Sequence, residues 1–250
     1  MSDIRLVVQG DDLGMCRAVN EGIALATTDG ILTQASVMAP TPWFAEGATM
    51  VRRIALPVGL HVTLTCEWDY LRWSPLSPAA TLRGPDGTFH RTVEDAATAD
   101  ATEAVVEAHA QADRAEALGL TITYVDPHMG ISVPAAYEAM CERFRAKFIY
   151  RGIEPHHEWT SLIVLSLAPD DDRPAWLAER LEALGPGAHF VLSHPAVESD
   201  ELRAITDQSN ENFVWAEPIR IRDLAALCDS DVRHVIERRG IELIAARDVA

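Results

Sequence analysis

The stretch Ile4-Arg5-Leu6-Val7-Val8-Gln9-Gly10-Asp11-Asp12-Leu13-Gly14 organises the reading of this chain. Its apolar run, Ile4 to Val8, ends in a glycine and two adjacent carboxylates, and a helical pattern begins near Cys16. That order predicts a buried strand that delivers two acids to its C-terminal end. Neighbouring carboxylates repel, so one keeps its proton unless a cation sits between them. A metal bound by one acid, with the other free to move protons, accounts for the pair. The plainer alternative is a helix N-cap, where an Asp side chain accepts backbone N–H bonds.

Beyond this strand, helical and extended patterns alternate to the end of the chain. Ala18, Ile23, Ala24 and Leu25 fall near helical spacing and Gly30 closes that helix. Extended runs are expected at Ile31–Met38, Val58–Leu64, Thr121–Val125, Ser161–Leu167, around Phe190–Leu192 and at Ile241–Ala245. Helices are expected at Trp43–Arg53, Ala101–Leu118, Pro134 to about Lys147, Pro174–Leu184, Ile221–Cys228 and Asp231–Arg239, with a polar loop before Pro218. Such alternation predicts a parallel sheet with crossover helices. About seven strands with no evident linker predict an α/β chain folded as one closed or nearly closed barrel, a single domain over residues 1–250. From about residue 66 to 91 the rhythm breaks into a stretch rich in Pro, Gly and Trp, expected to be a lid-like insertion.

Composition narrows the partners. The 250 residues are 48% hydrophobic and 24% charged, enough apolar area for a core. A net charge of -17 disfavours nucleic acid and anionic membranes as partners. Cys16, Cys66, Cys141 and Cys228 are scattered with no CxxC pair, as expected for reduced thiols in a cytoplasmic protein. The start lacks the charge and apolar pattern of a signal peptide, and no apolar run is long enough to span a bilayer.

Residues able to do chemistry recur at equivalent places in several β/α units. Asp11 and Asp12 follow the first strand, His61 lies in the C-terminal half of the third, His128 follows the fourth, and His194 follows a late one. In a parallel barrel these strand ends open on one face. Asp12, His61 and His128 make a ligand set of two imidazoles and one carboxylate for one divalent ion, leaving positions open for water and substrate. Such an ion acidifies its water and polarises a carbonyl. Asp11 fits the base that takes the water's proton, and His194 fits the acid that protonates a leaving group. Asp126, two residues before His128, is placed to orient a ligand, although a structural role suits it better.

Each residue also has a duller role open to it, such as a hydrogen-bonded histidine at a strand end or a loop anchor before Pro195. Trp68, Tyr70 and Trp73, with Trp43, form an aromatic wall for a sugar ring in one reading and packing for the insertion in the other. Arg72 and Met129 are further candidates to touch substrate. His156, His157 and Glu158 look metal-like but are expected not to share an ion, and Asp170–Asp172 reads as a helix cap with a solvated face. No GxSxG elbow, no GxGxxG after the first strand and no Walker sequence is present, which leaves serine hydrolysis and nucleotide binding unsupported. No HxH follows the first strand, which disfavours a binuclear amidohydrolase site.

At these residues the chain resembles the YdjC-like family, the ChbG/HpnK carbohydrate deacetylases. The matching segments are Gly10-Asp11-Asp12-Leu13-Gly14, Val19-Asn20-Glu21-Gly22-Ile23, Gly30 to Met38, Gly59-Leu60-His61-Val62-Thr63-Leu64-Thr65, Val125-Asp126-Pro127-His128-Met129-Gly130 and Leu192-Ser193-His194-Pro195. Their order and spacing match over nearly the whole chain. The resemblance implies a deformed (β/α) barrel, a divalent metal on Asp12, His61 and His128, Asp11 as general base and His194 as general acid. It implies removal of an N-acetyl group from an amino sugar with release of acetate, and a possible homodimer. Zn²⁺ suits two imidazoles and a carboxylate, and Mg²⁺ stays open. The rivals are a metal-dependent hydrolase of another amide or ester, and a non-catalytic carbohydrate-binding barrel.

Overall fold

The computed structural model describes residues 3–149, 159–169, 172–206 and 217–249. Its elements are β1 (Ile4–Leu13), α1 (Arg17–Thr28), β2 (Gln34–Val37), α2 (Phe44–Arg53), β3 (Val58–Val62), α3 (Val93–Ala96), α4 (Ala101–Ala117), β4 (Ile122–Pro127), α5 (Pro134–Phe144), β5 (Lys147–Phe148), β6 (Ser161–Val164), α6 (Arg173–Glu182), β7 (Gly187–Ser193), α7 (Asp200–Ile205), α8 (Glu217–Leu227), α9 (Ser230–Arg239) and β8 (Glu242–Leu243). Seven strands lie in the order β5-β4-β3-β2-β1-β7-β6, and β8 pairs with the start of β1. Every ladder between these strands is parallel. Among the described residues no ladder joins β5 to β6, so the sheet is a deformed, unclosed (β/α) barrel.

β1 is the centre of this sheet, flanked by β2, β7 and β8, and it is buried along nearly its whole length. That is why its apolar run is continuous rather than alternating. Its side chains still divide between two faces: Leu6 and Val8 join the large core beneath the helices. Val7 joins a smaller apolar cluster with Tyr124, Ile149, Phe190 and Leu192. One strand position tolerates only glycine, because a Cβ on Gly59 would lie 2.2 Å from the Tyr124 ring.

The structure departs from the sequence reading mainly at short elements. β4 continues through Pro127, which brings Asp126 into register with His61 on β3. α5 ends at Phe144 because Arg145 turns left-handed at φ 49°, and the two-residue β5 follows where helix was expected. Within the expected polar loop before Pro218 lies α7, capped by the Ser199 side chain. The 66–91 stretch is mostly irregular, with Trp68, Trp73, Leu82 and Phe89 buried. Glu107 of α4 accepts the backbone N–H groups of Leu76 and Ser77 at 3.1 and 2.8 Å and so pins that stretch to the barrel wall. His156, His157, Glu158, Asp170 and Asp171 lie outside the described residues, while Asp172 caps α6 by accepting from Ala175 N. Among the described residues no helix is long and apolar enough to cross a membrane.

Candidate active site

Because the strands are parallel, the C-terminal ends of β1, β3, β4 and β7 open into one cavity of about 310 Å³. Asp11, Asp12, His61, His128 and His194 all line it. Consecutive residues in a regular strand point to opposite faces, so two adjacent acids in one cavity need an explanation. The ladder between β1 and β2 supplies it. Three residue steps from Gly10 to Leu13 face two from Ala35 to Val37, which is a β-bulge at the acid pair. Asp12 takes φ 69°, a left-handed conformation that Asp tolerates better than most residues.

Three donor atoms converge there. Asp12 Oδ1 lies 3.6 Å from His61 Nε2 and 3.4 Å from His128 Nδ1. Both separations are long for hydrogen bonds. Ligands held about 2.0–2.1 Å from a tetrahedral ion stand about 3.3–3.4 Å apart, so the spacing suits a shared cation. The far sides of these groups face charged partners, as those of metal ligands do. His61 Nδ1 lies 3.1 Å from Asp126 Oδ1, and His128 Nε2 lies 3.1 Å from Glu67 Oε2. Asp12 Oδ2 accepts from Arg220 Nη2 at 2.6 Å. The residues therefore fit a divalent ion, and Asp12, His61 and His128 are the group able to hold it. A second cluster, Asp11, His61 and Asp126, fits less well, because the Gln9 amide already bridges its two carboxylates.

Titration follows this concentration of charge. Burial by itself pushes the Asp12 carboxyl up, yet Arg220 and His128 hold it well below the usual carboxylate range. Burial pulls both imidazoles down, but carboxylates prevail in each case. Asp126 and Asp11 raise His61, while Glu67 and Asp12 raise His128 to about 10.

Asp11 is held by a chain of amides. Gln9 Nε2 donates 2.7 Å bonds to Asp11 Oδ1 and to Asp126 Oδ2, and Gln9 Oε1 accepts from Gln34 Nε2 at 2.6 Å. Gln34 Oε1 in turn accepts from Ala246 N at 2.7 Å, which fixes the orientation of both amides. Asp126 Oδ2 also accepts from Ser36 Oγ at 2.7 Å. His194 approaches Asp11 from β7, with Nε2 3.9 Å from Asp11 Oδ2.

The structure brings Asp11, Asp12, His61, His128, His194 and Met129 to the cavity, Met129 half-exposed at its rim. The other residues expected at the substrate stand outside the lining of this cavity. Trp68 and Trp73 are buried in the core, because their large apolar rings seal the insertion onto the barrel. Trp73 Nε1 donates to Thr65 O at 2.8 Å, and its ring meets His128 edge-on at 6.3 Å. Arg72 spends its guanidinium on backbone carbonyls of the same stretch, among them Trp68 O at 3.0 Å and Phe89 O at 2.9 Å. Tyr70 is exposed and absent from the cavity lining. Sequence reasoning missed Gln9, Glu67 and Arg220, all of which line the cavity. Only Gln9, one position before the Gly-Asp-Asp run, carried a local signal.

Comparison with known proteins shows what the whole chain is similar to. The model of a family described as YdjC-like protein matches residues 5–238. A carbohydrate deacetylase of Geobacillus stearothermophilus is 28% identical over 253 residues, covering 97% of this chain and 96% of that protein. A chitooligosaccharide deacetylase of Yersinia pestis (strain Pestoides F) is 24% identical over 258 residues, covering 95% and 96%. A solved protein of Enterococcus faecalis V583, described as a candidate cellobiose-phosphate cleavage protein, superposes with a TM-score of 0.81 at 20% identity and covers 100% of both chains. That last likeness is one of fold.

Proposed function

The chain belongs to the YdjC-like protein family, and on that premise we propose that it is a metal-dependent hydrolase that removes the N-acetyl group from an amino sugar or short oligosaccharide. The observation that carries the reading is the meeting, at one cavity, of the Asp12, His61 and His128 donors with an acid on one side and an imidazole on the other. The names of the full-length relatives support the acetyl group and the carbohydrate. We read residues 1–250 as one barrel domain with a lid-like insertion at about 66–91 that brings Glu67 to the cavity.

Asp12, His61 and His128 would hold one divalent ion, and two imidazoles with one carboxylate favour Zn²⁺ over Mg²⁺. When bound, that ion supplies Lewis acidity, acidifying water and polarising a carbonyl. The chain's own groups do the rest. Asp11, held by Gln9, accepts the proton of the attacking water. His194 Nε2 hands a proton to the amine as the C–N bond breaks, so that amide and water become acetate and free amine. Arg220 fixes one oxygen of Asp12 so that the other faces the imidazoles. A cavity of about 310 Å³ is at the small end for ligand sites, which suits one acetylated sugar unit with any further units outside. The four cysteines described are all free, which supports a reducing compartment such as the cytoplasm.

The test combines elemental analysis of the purified protein with acetate release from N-acetylglucosamine, chitooligosaccharides and non-sugar acetamides and esters. One equivalent of bound divalent metal and turnover of an acetylated amino sugar are expected. Turnover of the non-sugar compounds alone, or sugar binding without release of acetate at saturating metal, would overturn the reading.

A further inference from the structure

His194 ends β7, and its two ring nitrogens meet different surroundings. Nε2 points toward Asp11 at the cavity. Nδ1 points away from it, 3.0 Å from Ser166 Oγ, in the one-turn 3₁₀ helix that follows β6. Ser166 Oγ donates to Asp223 Oδ2 at 2.5 Å. The same Asp223 oxygen accepts the backbone N–H of His194 at 2.8 Å, while Asp223 Oδ1 accepts from Arg173 Nη1 at 2.5 Å. Ser166, Asp223 and Arg173 are all buried, and they come from three elements that share no local sequence signal.

Counting protons fixes the direction of this chain. A serine hydroxyl carries one proton and can donate it once. Asp223 faces three donors, one of them a guanidinium, so it acts as an acceptor and takes the hydroxyl proton. The oxygen of Ser166 then has only lone pairs to offer His194, and Nδ1 must bring the proton to that contact. Neutral imidazole has one N–H, so Nε2 is left as the site that gains and loses a proton.

We propose that Ser166 and Asp223, braced by Arg173, form a hydroxyl-bridged relay that holds His194 in its Nδ1–H tautomer with Nε2 directed at the cavity. Both are positioning residues: they act on the reaction through His194. The catalytic part of this inference rests on the deacetylase reading. The tautomer does not, since it follows from the hydrogen bonds alone.

The experiment is ¹⁵N NMR of the zinc-loaded protein labelled at histidine, at a pH where the His194 ring is neutral, with His194→Gln used to assign the resonance. Wild type is expected to show a protonated Nδ1 and an unprotonated Nε2. Ser166→Ala removes the acceptor, so the ring shifts toward the Nε2–H form, and kcat falls about 10²-fold with KM unchanged. Ser166→Thr keeps a hydroxyl and restores both the tautomer and kcat. An Nε2–H ring in wild type overturns the relay, as does Ser166→Ala with tautomer and kcat unchanged. Should Ser166→Ala fail to fold, the wild-type spectrum and Ser166→Thr still decide. Absence of acetate release from every acetylated sugar would overturn the deacetylase reading and leave the tautomer measurement standing.

Discussion

Arg220 Nη2 sits 2.6 Å from Asp12 Oδ2, joining the end of β1 to α8 across 208 residues of chain. Both side chains are buried, and the Arg220 guanidinium also lies 5.6 Å from the centre of the Trp68 ring. Breaking a buried pair from one side is costly, and here it removes the larger of the influences that hold Asp12 ionised, leaving His128 beside it. Arg220→Met should therefore lower the stability of the metal-free protein by roughly 3–5 kcal/mol in urea unfolding. It should also weaken Zn²⁺ binding by about 10- to 100-fold in competition with a chelating dye, because Asp12 loses the group that orients it. Wild-type stability together with wild-type zinc affinity would show that Arg220 is a bystander.

The adjacent acids should separate cleanly. Asp12→Asn keeps a side chain that tolerates φ 69° but loses the anionic donor, so bound metal and activity should disappear together. Asp11→Asn leaves Asp12, His61 and His128 in place, so metal should remain at one equivalent while kcat drops about 10²- to 10⁴-fold. Metal content by mass spectrometry and acetate release on the same samples distinguish the two. Loss of metal in Asp11→Asn would move that residue into the ligand set.

The parts of the site that were legible in the sequence depend on local pattern. The acid pair at the end of an apolar run and histidines at the ends of later strands can each be seen within a few residues, and parallel topology brings them together. Arg220 and Glu67 could not be read this way, since each gains its meaning from a partner 208 or 61 residues away. The bulge at Asp12 was hidden too, because residue types do not reveal that one strand carries an extra residue. Trp68 and Trp73 were visible as aromatics, but composition does not say which face a ring presents. α7 is different: Ser199 followed by Asp200 and Glu201 is a readable N-terminus, and only the brevity of the helix concealed it.

Alkaline stability should carry the signature of the buried thiols. Burial pushes Cys66 from 9.0 up to about 12 and Cys16 from 9.0 up to about 11. In the unfolded chain these thiols ionise near 9.0, so above that pH the folded state holds more protons than the unfolded state. Stability is then complete below pH 9.0 and declines through the window up to about 11 to 12. Each thiol adds a slope approaching about 1.4 kcal/mol per pH unit. Urea midpoints of wild type and Cys66→Ala at pH 8 and pH 10 should show a smaller fall for the variant. An equal fall in both proteins would mean that Cys66 titrates alike in the folded and unfolded states.

Arg72 offers the sharpest contrast between a substrate contact and a structural one. Its guanidinium donates to Trp68 O at 3.0 Å and Phe89 O at 2.9 Å, with further contacts to Cys66 O and Thr88 Oγ1, and it lies 3.3 Å from Asp86. It ties the two ends of the 66–91 stretch together and so holds Trp68 and Trp73 against the barrel. Arg72→Ala leaves several carbonyls without a donor, at a cost of about 1–3 kcal/mol for each one that stays buried. Arg72→Lys cannot restore the fork that reaches several acceptors at once. Hydrogen exchange across 66–91 should rise in both variants. Zinc affinity should fall as well, since Trp68 packs on Arg220 and Trp73 on His128. A substrate contact would behave differently: KM would rise while exchange and zinc affinity stayed at wild-type values.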